Sequence, residues 1–216
     1  MQRVRASVVF FALVAATLGA SACDDSQEGN PALIGTWETG PGAEQAFRMA
    51  FGEDGVWMVG DVSGSVNLPA GTYVATADEI TLEPTDETEE RSTSSLYVDD
   101  DVLMISALLP QQVGENSVGT WKATESFSLE EAGSTIAGRL EIELELMADG
   151  TFSFTETETD LENGEVVDEF ELTGSGEYQL SDDSALRLAF DDGDEFDLFV
   201  VPGQAIGLNP LFRVQE

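Results

Sequence analysis

The sequence predicts an all-β protein: an antiparallel meander in two tandem units, folded as small barrels, half-barrels or sandwiches. Three observations point there. Short runs that alternate apolar and polar residues are separated by Gly- and Asp-containing turns at roughly eight- to twelve-residue spacing, the pattern of a sandwich or an up-and-down barrel. No stretch sustains an apolar 3.6-residue period, so any helix is expected to be short. And a set of landmarks returns in the same order. Ile34-Gly35-Thr36-Trp37-Glu38 recurs as Val118-Gly119-Thr120-Trp121-Lys122, and Glu53-Asp54-Gly55-Val56-Trp57 as Ala148-Asp149-Gly150-Thr151-Phe152. Gly71-Thr72-Tyr73 recurs as Gly176-Glu177-Tyr178, and Glu79-Ile80-Thr81-Leu82 as Ala185-Leu186-Arg187-Leu188. This is a duplication in which the second copy has longer connections, with units at 33–110 and 118–216 joined by a linker at 111–117.

In the first unit, strands are expected at Gly35–Thr39, Ala46–Phe51, Val56–Asp61, Gly71–Thr76, Glu79–Glu83, Ser95–Val98 and Val102–Ala107. Each combines β-branched or aromatic residues with period-two alternation. Turns fall at Glu53-Asp54-Gly55, around Thr76-Ala77-Asp78 and at Asp99-Asp100-Asp101, where short polar side chains can bond their own backbone. Residues 85–95, acidic and rich in Ser and Thr, are expected to form a loop.

The second unit holds the clearest strand. Leu140, Ile142, Leu144 and Leu146 alternate with Arg139, Glu141, Glu143 and Glu145, giving one dry face and one wet face. A helix would spread those apolar residues around its whole circumference. Asp149-Gly150 then turns the chain into a strand with Phe152 and Phe154 on one face, a hairpin. Further apolar pairs follow at Phe170/Leu172, Tyr178/Leu180, Leu186/Leu188/Phe190 and Phe196/Leu198, with Asp192-Gly193-Asp194 turning the chain before the last. The weakly charged segment 200–214 forms a closing strand after a Pro202-Gly203 turn, or covers a barrel end.

Ahead of both units lies a different kind of sequence. Arg3 and Arg5 precede an apolar run from Val8 to Leu18, and small residues then lead to Cys23, the chain's single cysteine. This is the three-part pattern of a secretory signal, with an apolar run too short to span a bilayer comfortably. It resembles a bacterial lipoprotein signal peptide covering 1–22. That resemblance implies that Cys23 becomes the first mature residue and carries the lipid, a diacylglyceryl group and often an amide-linked acyl chain. Since one acyl chain binds a membrane only marginally, more than one is needed for durable attachment. Ala20-Ser21-Ala22 also fits a conventional small-x-small cut, which would leave a free thiol. Residues 23–32, rich in Asp, Ser, Gln, Glu, Gly and Asn, are expected to be a flexible tether.

The repeated landmarks, G-T-W, then D-G-x-[FW], then G-x-Y leading into alternating apolar residues, look like the lipocalin-like domains of bacterial lipoproteins. The resemblance covers most of 34–107 and 118–201. It implies meandering barrels or half-open barrels in which Trp37 and Trp121 plug one end, Gly35 and Gly119 allow tight entry to the first strand, and a small hydrophobic ligand is bound inside. Read without the resemblance, each Trp is a core anchor whose indole N–H finds a nearby acceptor. Two packed barrels and two halves of one larger β structure both remain open.

Composition excludes more than it assigns. The 216 residues contain 8 Lys+Arg, 43 Asp+Glu and no His, for a formal net charge of -35. There is no imidazole base, no His-based metal site and no thiolate cluster, and no basic surface for nucleic acid. No G-x-S-x-G elbow or phosphate-binding glycine loop is present. Lys122, the only lysine, reads as a surface charge on a strand. Paired carboxylates could serve glycoside hydrolysis, but nothing marks one pair among so many acids. The hard oxygens of Asp191, Asp192, Asp194 and Asp197, and of Asp99 and Asp101, are candidates for weak calcium association, although neither segment has EF-hand spacing. No cofactor is expected. The expectation is a non-enzymatic, lipid-anchored protein of the bacterial cell envelope, the outer membrane placed ahead of the inner, and exported if the anchor is absent. It would bind a small hydrophobic ligand or an envelope protein. The alternatives are a structural or interaction β module with weak calcium association and a carboxylate-based hydrolase.

Overall fold

The computed structural model describes residues 30–40, 46–62, 68–86, 90–114, 117–131, 134–181 and 184–214. Cys23 and the signal segment lie outside them. Sixteen strands follow one another along the chain, with no α-helix among the described residues. The first eight are β1 (Gly35–Thr39), β2 (Phe47–Phe51), β3 (Val56–Asp61), β4 (Leu68–Ala75), β5 (Glu79–Pro84), β6 (Arg91–Val98), β7 (Val102–Ile105) and β8 (Leu109–Val113). The second eight are β9 (Gly119–Glu131), β10 (Ser134–Leu146), β11 (Thr151–Glu162), β12 (Glu165–Leu180), β13 (Ala185–Phe190), β14 (Glu195–Val201), β15 (Ala205–Gly207) and β16 (Leu211–Arg213).

All pairings are antiparallel, and the all-β meander closes into barrels. β1 to β7 pair in sequence, and β16, from the far end of the chain, inserts between β7 and β1 to complete an eight-stranded ring. In the second unit β9 to β15 pair in sequence. Its missing wall is β8, which pairs with β9; Leu108, the residue just ahead of β8, bridges to β15 through two backbone bonds, Leu108 N–H to the Ile206 carbonyl (2.8 Å) and Ile206 N–H to the Leu108 carbonyl (3.0 Å). Each repeat therefore gives its eighth strand to the other repeat's barrel. A further pairing, Arg91–Ser94 of β6 with Glu125–Ser128 of β9, joins the two walls into one sheet.

The alternation read from sequence places the cores. One apolar cluster, including Trp37, Phe51, Trp57, Tyr73, Ile80 and Leu96, occupies the interior of the first barrel. Another, including Trp121, Leu144, Leu146, Phe152, Leu186 and Val200, occupies the second. A third lies on the outer faces of the strands where the barrels meet, with Met104 and Ala107 against Ala205, and Phe199 edge-on to Phe212. Buried apolar area of this kind contributes about 25 cal/mol per Å², so the two barrels are held together by packing as well as by the exchanged strands.

The duplicated landmarks occupy matching places. Gly35 and Gly119 open their strands at φ of +136° and +139°, a conformation that disfavours any side chain. The Tyr73 hydroxyl donates to the Gly52 carbonyl (2.8 Å), and the Tyr178 hydroxyl to the Met147 carbonyl (2.9 Å). Asp54 and Asp149 each accept from the backbone N–H two residues on, of Val56 and Thr151 respectively, fixing the equivalent turns.

Several boundaries differ from the local pattern. Arg91–Ser94, expected in a loop, belong to β6, because β5 on one side and β9 on the other supply backbone partners. Residues 109–113, read across the end of the first unit and the linker, form β8. Phe170/Leu172 and Tyr178/Leu180, read as separate pairs, lie on the single strand β12. The strand expected to run to Ala107 ends at Ile105, and β4 starts at Leu68. Asn30 to Leu33 make a turn whose Asn30 amide donates to the Thr76 carbonyl, so packed chain begins ahead of Leu33.

Candidate functional site

The two G-T-W tryptophans are fully buried, and each indole N–H donates to the carbonyl four residues back: Trp37 to Leu33 (2.8 Å) and Trp121 to Ser117 (2.9 Å). Their polar edges are satisfied inside the core. Trp37 also lies under the guanidinium of Arg213, which donates to the carbonyls of Ala32, Ile34 and Asp100.

The acidic turns are built by bonds within the chain. Asp99 accepts from the Tyr97 hydroxyl (2.7 Å) and from the backbone N–H groups of Asp101 and Val102 (2.8 Å each). Burial pushes the Asp99 carboxyl up, but these bonds and the nearby Arg213 outweigh it and hold the group below its usual range. Asp191 accepts from the Ser175 hydroxyl (2.6 Å), Asp192 from the Asp194 N–H, and Asp197 stands opposite Arg187 on the neighbouring strand. Among the described residues, no group of three or more carboxylates converges as a metal would require. The six candidate aspartates sit at two turns and on β14, one set in the middle of the chain and the other near its C-terminal strands.

Two clefts lie outside the barrels. One, of about 470 Å³, is bounded by Asp78 and Glu79 of the first barrel and by the outer face of β9 and β10. There Lys122 pairs with Glu143 (2.7 Å) and Arg139 with Glu141 (2.6 Å), so both bases are neutralised on the spot. These are half-exposed pairs of small energetic worth. A second, of about 390 Å³, runs along β6, β9 and β10 past Arg91, Phe127 and Leu161.

What the sequence does not foreshadow is the length of β9 to β12. These four strands run on past the second barrel as an arm, from about Glu125–Glu131 and Ser134–Leu140 through Glu156–Glu162 to Glu165–Thr173. Register fixes its two faces. On one, Phe127, Leu129, Leu140, Phe170 and Leu172 are interspersed with Glu125, Glu156 and Glu158. Gly138 leaves the space that the Phe127 ring fills. Phe170 is 54 % exposed, and Val166 and Val167 about as much. Burial first, then Glu158 and Glu125, raise the Glu156 carboxyl above its ordinary range. A raised acid beside other carboxylates is an arrangement that acid–base chemistry can use. Here, however, the group stands on an open sheet, and none of the three lines either cleft. The signal for the arm was present in the alternation of Thr155 to Asp160 and in the run Val166 to Leu172, but only the register reveals one continuous sheet.

The fold and these surfaces define a class, an antiparallel eight-stranded closed barrel fused to a second, barrel-like antiparallel unit with an exposed sheet extension. No protein-family model, curated protein or solved structure matches the chain.

Proposed function

We propose that the protein is a non-enzymatic component of the bacterial cell envelope, anchored through lipid on Cys23 and binding a partner protein with the arm formed by β9 to β12. The observation that carries this reading is the contrast between interior and exterior. Both barrel interiors are occupied by the protein's own large side chains, Trp37, Phe51 and Trp57 in one and Trp121, Leu144 and Phe152 in the other. The arm instead leaves Phe170, Val166, Val167 and Ile136 in water, beyond what either barrel needs to close. Phe170 and Ile136 lie on one face of the arm and Val166 on the other, each with carboxylates for neighbours, and exposed apolar side chains set among charge are the ordinary mark of an interaction surface. The absence of His from the sequence and the pairing of Lys122 and Arg139 with neighbouring carboxylates favour binding over catalysis. The lipid anchor, with the outer membrane ahead of the inner, rests on the N-terminal pattern and on the single cysteine at its end.

Two measurements test this. Intact mass of the membrane-extracted protein beside Cys23→Ala should exceed the bare chain from Cys23 by the acyl groups; a bare-chain mass sinks the anchor. A photo-crosslinking residue placed at Phe170 should give a discrete adduct in cells, whereas one at Val74, exposed on the first barrel, should not. Equal labelling at both positions, or none at Phe170, sinks the partner reading.

A further inference from the structure

Resting on that reading, we infer that the partner docks by adding a strand to the free edge of β12, and that its docking segment is extended and alternates basic with apolar residues. β13 pairs with β12 only from Gly176 to Leu180. From Glu165 to Thr173, β12 is bonded to β11 on one side and to no strand among the described residues on the other. An unpaired edge presents a row of N–H and C=O groups that an extended chain can complete. The register shift at Asp160/Leu161, where Val167 is the extra residue on β12, interrupts the ladder near the hairpin. The regular part of the edge is therefore Asp168–Thr173, within which the Asp168 carboxylate accepts from the Glu169 N–H (3.0 Å), a local bond that an incoming strand would displace.

The side chains on that stretch specify the occupant. Phe170 and Leu172 point to one face, Glu169 and Glu171 to the other, since successive residues alternate. A strand laid beside β12 places alternate side chains next to each set. Apolar residues are matched to Phe170 and Leu172, and Lys or Arg to Glu169 and Glu171. Glu156 and Glu158, across from Leu172 and Phe170 on β11, add negative charge behind the apolar row. A second copy of this chain is a poor occupant, because it would set Asp168, Glu169 and Glu171 against the same carboxylates. The net charge of -35 opposes that approach at long range and favours a basic one.

The test uses the full chain extracted in detergent and a fluorescent, end-blocked eight-residue peptide alternating Lys and Val. Anisotropy should show saturable binding at low salt, weakened at least tenfold in the double variant Glu169→Lys/Glu171→Lys. Binding should fall by a similar factor when alternate peptide amides are N-methylated, which leaves charge and side chains intact but removes the ladder bonds. Hydrogen exchange should slow across Asp168–Thr173 and not across β1. Equal affinity for the N-methylated peptide, or for an alternating Glu–Val peptide, overturns strand addition. So does a dimer of the free protein closed through β12. Each of those results leaves a crosslink at Phe170 standing, whereas loss of the crosslink itself removes the broader partner reading.

Discussion

Arg213 covers Trp37: its guanidinium carbon lies 4.3 Å from the centroid of the indole, on a side chain whose backbone stands directly opposite Trp37 across the β16–β1 pairing. The same guanidinium donates to the Ile34 carbonyl (3.0 Å), the Asp100 carbonyl (2.7 Å) and the Ala32 carbonyl. One residue near the end of the chain therefore closes the mouth of the first barrel and holds its opening turn. In the second barrel the residue opposite Trp121 is Pro110 of the exchanged strand β8, which carries no such charged group.

Removing that fork should be expensive. Arg213→Ala loses a cation–π contact and several charge-assisted bonds to carbonyls that stay behind, a destabilisation of about 2–4 kcal/mol. Arg213→Lys keeps the charge but cannot reach three carbonyls from one plane, and should recover less than half. Urea midpoints of the three proteins give the comparison. An Ala variant within about 0.5 kcal/mol of wild type, the range of ordinary surface substitutions, would rule the latch out.

The duplicated glycines Gly71 and Gly176 should behave as a pair. At each, an added Cβ would overlap the backbone of the next strand, at the Glu83 carbonyl in one barrel and the Ala189 carbonyl in the other. Alanine at either position should cost about 1–3 kcal/mol, because the obstacle is main chain and cannot swing aside. Gly150→Ala provides a contrast. Its Cβ would meet open space, and the penalty of about 1 kcal/mol would come from φ of +87° alone. Thermal or urea unfolding of the three variants checks the order.

How much of this could be read from the residues follows from what sets each feature. Strand identity and core faces were legible wherever period-two alternation decides burial, as from Leu140 to Leu146, because local pattern and tertiary burial agree there. The buried, bonded indoles of Trp37 and Trp121 were legible for the same reason. The exchange of β8 and β16 was not. Leu109–Val113 and Leu211–Arg213 are short and carry no sign of which barrel they complete. Their partners are chosen by closure of the ring. Nor could the arm be measured from sequence: Ser126 and Ser128, or Thr157 and Thr159, suit a loop as well as a strand until β6 and β10 supply the other half of the ladder. In the sequence the aspartates of 99–101 and 191–197 are candidates for weak calcium association beside a reading as acidic turns, and most of the bonds they make fix their own turns.

Strand exchange makes the C-terminal segment a part of the first barrel. A chain ending at Gly207 lacks β16, leaving β1 and β7 without a common neighbour while every strand of the second barrel remains. Hydrogen exchange should therefore accelerate in Gly35–Thr39 and Val102–Ile105, with β10 to β13 still protected. Emission of a variant keeping Trp37 as its single tryptophan should shift to the red as the core opens at Leu211. Protection of β1 and β7 equal to that of the full chain would contradict closure by β16. Lost protection in β9 instead would mean that β8 had returned to its own repeat.

Glu156 should make stability depend on pH in a direction opposite to most surface acids. Burial is the largest cause of its raised pKa, followed by the charges of Glu158 and Glu125. A carboxyl whose folded pKa lies above its unfolded one binds its proton more tightly when folded, so ionising it opposes folding. The penalty is absent below the unfolded value, grows as pH rises through the window up to the raised folded value, and is fully present at neutral pH. Glu156→Gln should thus stabilise the protein at pH 7, and the advantage should shrink on acidification and vanish below about pH 4, where both states of the wild type are protonated. Glu158→Gln should give a smaller gain at pH 7, because it removes one of the repelling charges and leaves the burial. Urea midpoints across pH 4 to 8 decide it: a gain for Glu156→Gln that does not change with pH would assign the effect to packing and remove the electrostatic account of the arm.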